Sequence, residues 1–314
     1  MKYDAISFGS AVLDVFIKSP EIKIIDSKEF FNKKALLLPY GVKSEVEELT
    51  VTSGGGGTNT AVGLSRLGLK TAVVARCGWD FGGKIIRQEI KKEKVSDEFL
   101  VQLEGERTDY STILIGPDGN RTILVYRGGT SLEKSVIDFK NLNSFYFCIS
   151  SLEGNLDLLK ELVSFASKCH IKVVLNPGRR EIKKREELLD IIKEVNFLIL
   201  NEKEASLLNQ DKKEEGLSSL LSKTKLIITK GVNGVCLYKK GKREIVKKAL
   251  KTKMVDQTGA GDGFISGFVG GLAKGYPLEK ALDLGIANGA SVVTKTGAKE
   301  GLIKEKELDF WLKK

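Results

Sequence analysis

The chain has 314 residues, 41% of them hydrophobic and 29% charged, with a formal net charge of +10. That length buries a substantial core, as one large α/β domain or two ordinary ones, and no apolar run reaches the ~18 residues of a membrane span. The positive charge raises nucleic acid as a partner, but the lysines fall in scattered pairs (33–34, 91–92, 183–184, 212–213, 239–240, 247–248, 313–314) without interleaved aromatic residues. A solvated basic surface is the economical reading, so neither nucleic acid nor membrane is expected as a partner.

Cys77, Cys148, Cys169 and Cys236 are dispersed with no C-x-x-C pair, and His170 is the only histidine. Disulfides and structural zinc are therefore not expected, and with no signal-peptide pattern ahead of Lys2–Phe8 the reading is a cytoplasmic protein.

In chain order, residues 3–9 predict a first strand ending at Gly9, and Asp14 follows where turn or cap aspartates are common. Residues 15–52 alternate β-like and polar segments, interrupted by Pro20 and Pro39, without a long helix. Four glycines, Gly54 to Gly57, alone would read as a linker. Here Asn59 opens an apolar-periodic helix that Gly68 closes, so the run reads as a bare-backbone helix start that a polar ligand approaches closely. A buried strand is predicted over 71–77. After it, Gly78 to Lys84 nearly matches a P-loop, but Ile85 stands where the magnesium-binding hydroxyl belongs, and Trp79 and Phe81 crowd the loop.

Residues 110–115 and 122–126, around Gly116-Pro117-Asp118-Gly119-Asn120, predict a hairpin. Strand and helix patterns then alternate over 145–149, 156–167, 171–175, 187–195 and 197–200. Such alternation predicts a mostly parallel sheet with helices on its faces and ligands beyond the carboxyl ends of its strands. Three segments fall at such ends. Asn176 to Arg180 carries Arg179 and Arg180, which suit phosphate or carboxylate. Asn201 to Glu204 reads, on its residues alone, as a helix cap, and Thr229 to Gly234 as a turn.

The most informative stretch is Val255-Asp256-Gln257-Thr258-Gly259-Ala260-Gly261-Asp262-Gly263-Phe264. Ala260, Phe264, Phe268 and Leu272 recur at helical spacing, which puts residues 259–263 on the first turn of a buried helix. The opening N–H groups of a helix have no partner within it and carry partial positive charge. Glycines leave those donors uncovered, so an anion can rest on them with the Asp262 carboxylate beside it. An anion cradle next to a general base is what phosphoryl transfer to a hydroxyl requires. The plainer alternative is a glycine-rich helix cap. Residues 278–293 predict a further helix holding Asn288, and 304–312 a short closing one.

D-Q-T-G-A-G-D-G-F closely resembles the D-T-x-G-A-G-D signature of the ribokinase-like (PfkB) carbohydrate kinases. Gly54, Gly55 and Asn59 match the family's G-G-x-x-x-N, Gly78 to Gly83 its G-x-D-x-x-G, Asn201 and Glu204 its N-x-x-E, and Thr229, Gly231 and Gly234 its T-x-G-x-x-G. The resemblance spans essentially the whole chain, in family order. It implies a three-layer α/β fold with a mostly parallel central sheet, a β-sheet lid from about 15–52 and 105–128, and a nucleotide site within 176–301.

It further implies ATP-dependent transfer of a γ-phosphate to a hydroxyl of a small sugar. Asp262 would be the base, and Gly259, Ala260 and Gly261 with Asp262 the anion hole. Asp14, Gly54, Gly55, Asn59 and Arg180 would meet the acceptor. Asn201, Glu204, Thr229, Gly231, Gly234 and Asn288 would meet ATP, with Glu204 organising Mg2+ through water, and Asp256 and Thr258 marking a possible K+ site. Pairing of lids into a homodimer is also expected. A nucleoside is the alternative acceptor, and the two arginines allow an acidic or already phosphorylated sugar. A dinucleotide-binding oxidoreductase would explain G-A-G-D-G before a helix, but that motif belongs near the first strand of its domain rather than near the chain's end.

Overall fold

The computed structural model describes residues 1–30, 33–209, 214–221 and 223–313; the lysine pair at 212–213 and Lys314 lie outside them. The first half forms β1 (Tyr3–Phe8), β2 (Val12–Lys18), β3 (Lys23–Asp26), β4 (Lys34–Leu37), β5 (Glu48–Gly54), α1 (Gly56–Arg66), β6 (Thr71–Gly78), α2 (Phe81–Lys92), β7 (Leu100–Leu103), β8 (Asp109–Ile115) and β9 (Arg121–Tyr126). Next come β10 (Ser144–Ile149), α3 (Leu156–Lys168), β11 (Lys172–Leu175), α4 (Arg179–Lys183), α5 (Arg185–Ile192), β12 (Phe197–Asn201), α6 (Glu202–Leu208) and α7 (Glu214–Ser219). The chain closes with β13 (Lys225–Thr229), β14 (Val235–Lys239), β15 (Lys242–Lys247), α8 (Ala260–Ala273), α9 (Leu278–Val292) and α10 (Leu308–Leu312).

Nine strands form the large sheet, in the order β15-β14-β13-β12-β11-β10-β1-β6-β7. All neighbours from β13 to β7 run parallel; β14 alone runs against them, and β15 pairs antiparallel with β14. Side chains alternate between its faces, as the two-residue period of a strand demands. Ile6 and Phe8 of β1, with Phe147 and Ile149 of β10, point to the side covered by α3 and α5. Ala5, Tyr146 and Cys148 point to the opposite side, where Phe264, Ile265, Phe268 and Val269 of α8 pack. The result is the three-layer α/β fold that the resemblance implies, with helices on both faces of the mostly parallel sheet that the alternating pattern predicts.

The chain runs outward from β1 to β6 and β7, then returns to β10 on the other side of β1 and continues to β13. The direction of winding therefore reverses at β1, and the crevice beyond the carboxyl ends of β1 and β10 is where a sheet of this kind binds ligands. A second, four-stranded sheet has the order β5-β2-β8-β9. The register across β2 puts Asp14 beside Thr52 and Ser111 on one face. On the other face, Leu49, Val51, Tyr110, Leu124 and Tyr126 are all substantially exposed.

Two boundaries differ from the pattern reading. The glycine-rich helix starts at Gly56 rather than Asn59, because Gly55 at φ 95° ends the extended backbone and its C=O already accepts Asn59 N–H at 2.9 Å. The predicted helix over 187–195 begins earlier and ends sooner, and a short helix, α4, takes up Arg179 and Arg180.

Candidate active site

Asp262 lies on the first turn of α8, whose cap Gly259 has φ 77°. A side chain at Gly259 would be strained at that angle, and its Cβ would fall 2.5 Å from the Ala298 Cβ. The turn consumes some of the opening donors. Ala260 N–H bonds to Gln257 C=O at 3.3 Å and Gly263 N–H to Gly259 C=O at 2.8 Å. The N–H groups of Gly259, Gly261 and Asp262 have no acceptor among the described residues. Gly261 has nothing within 4 Å of its would-be side chain, so that approach is open.

The start of α1 faces this turn. Asn59 Nδ2 donates to Asp262 Oδ2 at 2.8 Å, fixing the carboxylate. The other amide atom, Asn59 Oδ1, is buried without a hydrogen-bond partner. A buried acceptor left open is costly unless a ligand donor completes it. Burial pushes the Asp262 carboxyl above its ordinary range, while the Asn59 hydrogen bond and the Lys299 charge oppose that shift.

Asp14 approaches from the smaller sheet. Its carboxylate lies against the Gly54 backbone so closely that a Cβ there would stand 1.9 Å from Oδ2. Burial pushes the Asp14 carboxyl up to about 6, against the pull of the Ser111 hydroxyl and Lys299. Lys299 is the residue that pattern reading missed. It is 2% exposed and ion-paired to Glu89 at 3.3 Å, and it donates to Ser53 C=O at 2.8 Å and to the Ser53 hydroxyl. Burial lowers its ammonium pKa, opposed chiefly by Glu89. Lys299 thus supplies the fixed positive charge in a site that gathers two carboxylates of raised pKa.

The residues expected to meet ATP lie farther along the sheet. Asn201 and Thr229 end β12 and β13 and are paired in register. Asn201 Oδ1 accepts Glu204 N–H and Glu204 Oε2 accepts Asn201 N–H, both at 2.9 Å, closing a capping box at the start of α6. Gly231 and Gly234 shape the turn after Thr229, where a Cβ on Gly234 would meet Lys247 C=O at 2.0 Å.

Two expected contacts do not fit. Asn288 is fully buried between α8 and α9. Its Nδ2 donates to Gly263 C=O (2.9 Å) and Ser266 Oγ (3.0 Å), and its Oδ1 accepts Ile303 N–H (2.8 Å). It joins two helices and presents no polar atom to a nucleotide. Asp256 Oδ1 takes Arg121 Nη1 (2.8 Å) and the Thr258 N–H (2.9 Å) and hydroxyl (2.7 Å), while Oδ2 takes Gly297 N–H (2.9 Å). A guanidinium from β9 already supplies the positive charge, so these residues do not fit a monovalent cation.

Arg180 lies on the wall of a cavity that Ser10 and Ser151 also line. The near P-loop carries no exposed phosphate cradle. Asp80 caps α2 through Gly83 N–H and takes both the N–H and hydroxyl of Thr108.

Fold and site together define a class: doubly wound α/β proteins whose ligand crevice lies at the winding reversal, beside a second sheet. The chain belongs to the pfkB family of carbohydrate kinases, whose family model matches residues 16–305. An uncharacterized sugar kinase of Archaeoglobus fulgidus is 30% identical over 77% of this chain and 98% of its own length. A nucleoside kinase of Methanocaldococcus jannaschii is 29% identical over 79% of this chain and 82% of its own. In fold, the chain resembles the structure of Arabidopsis thaliana ribokinase complexed with ribose and ATP, at TM-score 0.81 and 21% identity over the full length of both chains. The fold is ribokinase-like, and the chain is a phosphotransferase of the sugar and nucleoside kinase class.

Proposed function

We propose that the chain transfers the γ-phosphate of ATP to a hydroxyl of a small sugar, with Asp262 as the base. The observation that carries this is the Asp262 carboxylate, held by Asn59 beside the unused N–H groups of Gly259, Gly261 and Asp262. The carboxylate takes the acceptor's proton as its oxygen attacks phosphorus in line. The new O–P bond replaces the bond to the β-phosphate oxygen, and ADP leaves. Amides aimed at the transferred group stabilise its developing charge without reorganisation. Asp14 offers two strong acceptors to neighbouring sugar hydroxyls, and the open Asn59 Oδ1 a third.

Thr229, Gly231 and Gly234 form the bed for the nucleotide. No three metal-binding side chains cluster among the described residues. A Mg2+ that keeps its waters and the substrate phosphates needs no such cage, and Glu204 with Asn201 fits a single outer contact to it. When bound, Mg2+ supplies charge neutralisation of the phosphates. In this reading the smaller sheet, with the segments 15–52 and 105–128, is a lid that shields the γ-phosphate from water. The exposed apolar face of Leu49, Val51, Leu124 and Tyr126 supports pairing of two copies through that sheet, which sedimentation at rising concentration measures.

The deciding experiment is ADP release with magnesium-ATP across pentoses, hexoses, sugar acids, sugar phosphates and nucleosides. An acceptor whose turnover depends on Asp262 carries the reading, and absence of ATP binding refutes it. A nucleoside winning the panel would move the assignment to the sister activity of the M. jannaschii relative.

Asp14 gives a pH prediction with opposite signs in two assays. Its folded pKa of about 6 lies above its ordinary 3.8, so the folded chain holds that proton more tightly than the unfolded one. Its contribution to stability is therefore greatest at low pH and is lost as pH rises through that window. Thermal melts of Asp14→Asn should lack that loss. Acceptor binding needs the ionised form, so kcat/KM should fall about tenfold per unit below roughly pH 6. An acidic limb at the ordinary carboxylate pKa would contradict the role.

A further inference from the structure

The kinase reading leaves one cluster unused. Beside the crevice lies a cavity of about 390 Å³ whose wall carries four basic side chains, Arg127, Arg179, Arg180 and Lys183, against one carboxylate, Glu153. Arg127 is neutralised, since its Nη1 pairs with Asp109 at 2.6 Å and with Glu153 at 2.8 Å. Arg179, Arg180 and Lys183 form no salt bridge among the described residues. The acid of their own helix is turned away. Glu181 is 1% exposed and takes the N–H groups of Leu152 (2.7 Å) and Gly154 (2.9 Å) together with the Ser151 hydroxyl. Those bonds tie α4 to the loop after β10, which fixes where Arg179 and Arg180 stand.

The cavity adjoins the reacting centre. Ser10 lines it, and a Cβ on Gly55 would lie 3.0 Å from the Ser10 Oγ. Ser151 lines it too, next to Ser150. A Cβ on the adjoining Gly56 would lie 2.7 Å from Ser150 Oγ and 3.5 Å from Asp262 Oδ1. One strip of bare glycine backbone thus separates the proposed base from three cations that form no direct salt bridge, with Glu153 acting on Arg180 only through space. Like charges gathered around one concavity repel one another, and an anion relieves them. Arginine forks suit the planar oxygens of a carboxylate or a phosphate ester. A neutral pentose or nucleoside uses none of this charge.

We infer that the acceptor is anionic: a small polyhydroxylated molecule whose far end carries a carboxylate or phosphate ester, held by Arg179, Arg180 and Lys183 while a hydroxyl meets Asp262. This rests on the kinase reading and narrows its substrate class. The test is steady-state kinetics with magnesium-ATP on matched acceptors: neutral sugars, aldonic and keto-deoxy sugar acids, sugar phosphates and nucleosides. An anionic acceptor should have the highest kcat/KM, and its identity separates carboxylate from phosphate. Charge-assisted contacts of this kind amount to about tenfold to a hundredfold each, so Arg179→Ala with Arg180→Ala should raise the acceptor KM at least a hundredfold and leave the KM for ATP in place. Calorimetric titration of the same acids and phosphates into both proteins reads binding without turnover. A neutral sugar or nucleoside preferred by both proteins overturns the inference and leaves the kinase intact, as does equal binding of anions to both. Absence of ATP binding and of ADP release with every acceptor overturns the kinase reading itself.

Discussion

Asp262→Asn is expected to lower kcat by about 10²- to 10⁴-fold, the span that a positioned general base contributes, while the KM values for ATP and acceptor stay within a few-fold of wild type. The substitution is nearly isosteric, so the opening turn of α8 and its N–H groups remain in place, and α8 itself is anchored by Phe264 and Phe268 in the core. What is lost is a single proton acceptor. The raised carboxyl pKa brings that acceptor nearer the working pH than an exposed aspartate would be. Single-turnover measurements isolate the step, because a base acts on chemistry and not on product release. Near-normal turnover in this variant would remove Asp262 from the mechanism.

Lys299→Met should have the second-largest effect, and on two properties at once. Removing one partner of a buried ion pair costs about 3–5 kcal/mol when the other is left without compensation. Glu89 keeps some contact with water, with 23% of its side chain exposed, so a loss near the lower end, about 3 kcal/mol, is expected in denaturant unfolding. Lys299 also holds down the carboxyl pKa values of both Asp14 and Asp262. Its removal should shift the acidic limb of the kcat/KM profile to higher pH. Lost stability with an unmoved limb would leave Lys299 as a packing element only.

The parts of the site made by adjacent residues were legible in the chain. Gly259 to Asp262 could be read as an uncovered helix start because glycine spacing, an acid and an apolar stripe all lie within one stretch. The mostly parallel sheet with helices on its faces was legible because strand and helix periods alternate cleanly after residue 145. Contacts made across long separations were not. Lys299 is one of 51 basic residues, and only the fold brings it to Ser53, 246 positions away. Asp256 reads as a free cation ligand until β9 delivers Arg121 to it from 135 positions away. Asn288 has the chemistry of a ligand-binding amide, and nothing local reveals that α8 satisfies one end and the Ile303 N–H the other. The start of α1 was misplaced because a run of four glycines hides which one takes the positive φ.

The Arg121–Asp256 pair has a thermodynamic consequence. Arg121 begins β9, and Asp256 braces Thr258 and Gly297 around the loop that leads into α8. The two side chains are only 24% and 10% exposed, so salt screens the pair less than it would a surface one. Any swing of the smaller sheet away from the core must break this bond and loosen the bracing of the loop that leads into α8. Sheet position and loop order are thereby one linked equilibrium. A ligand that favours either tightens the binding of the other's ligand by an equal factor, a reciprocity that holds for affinities whatever the order of addition.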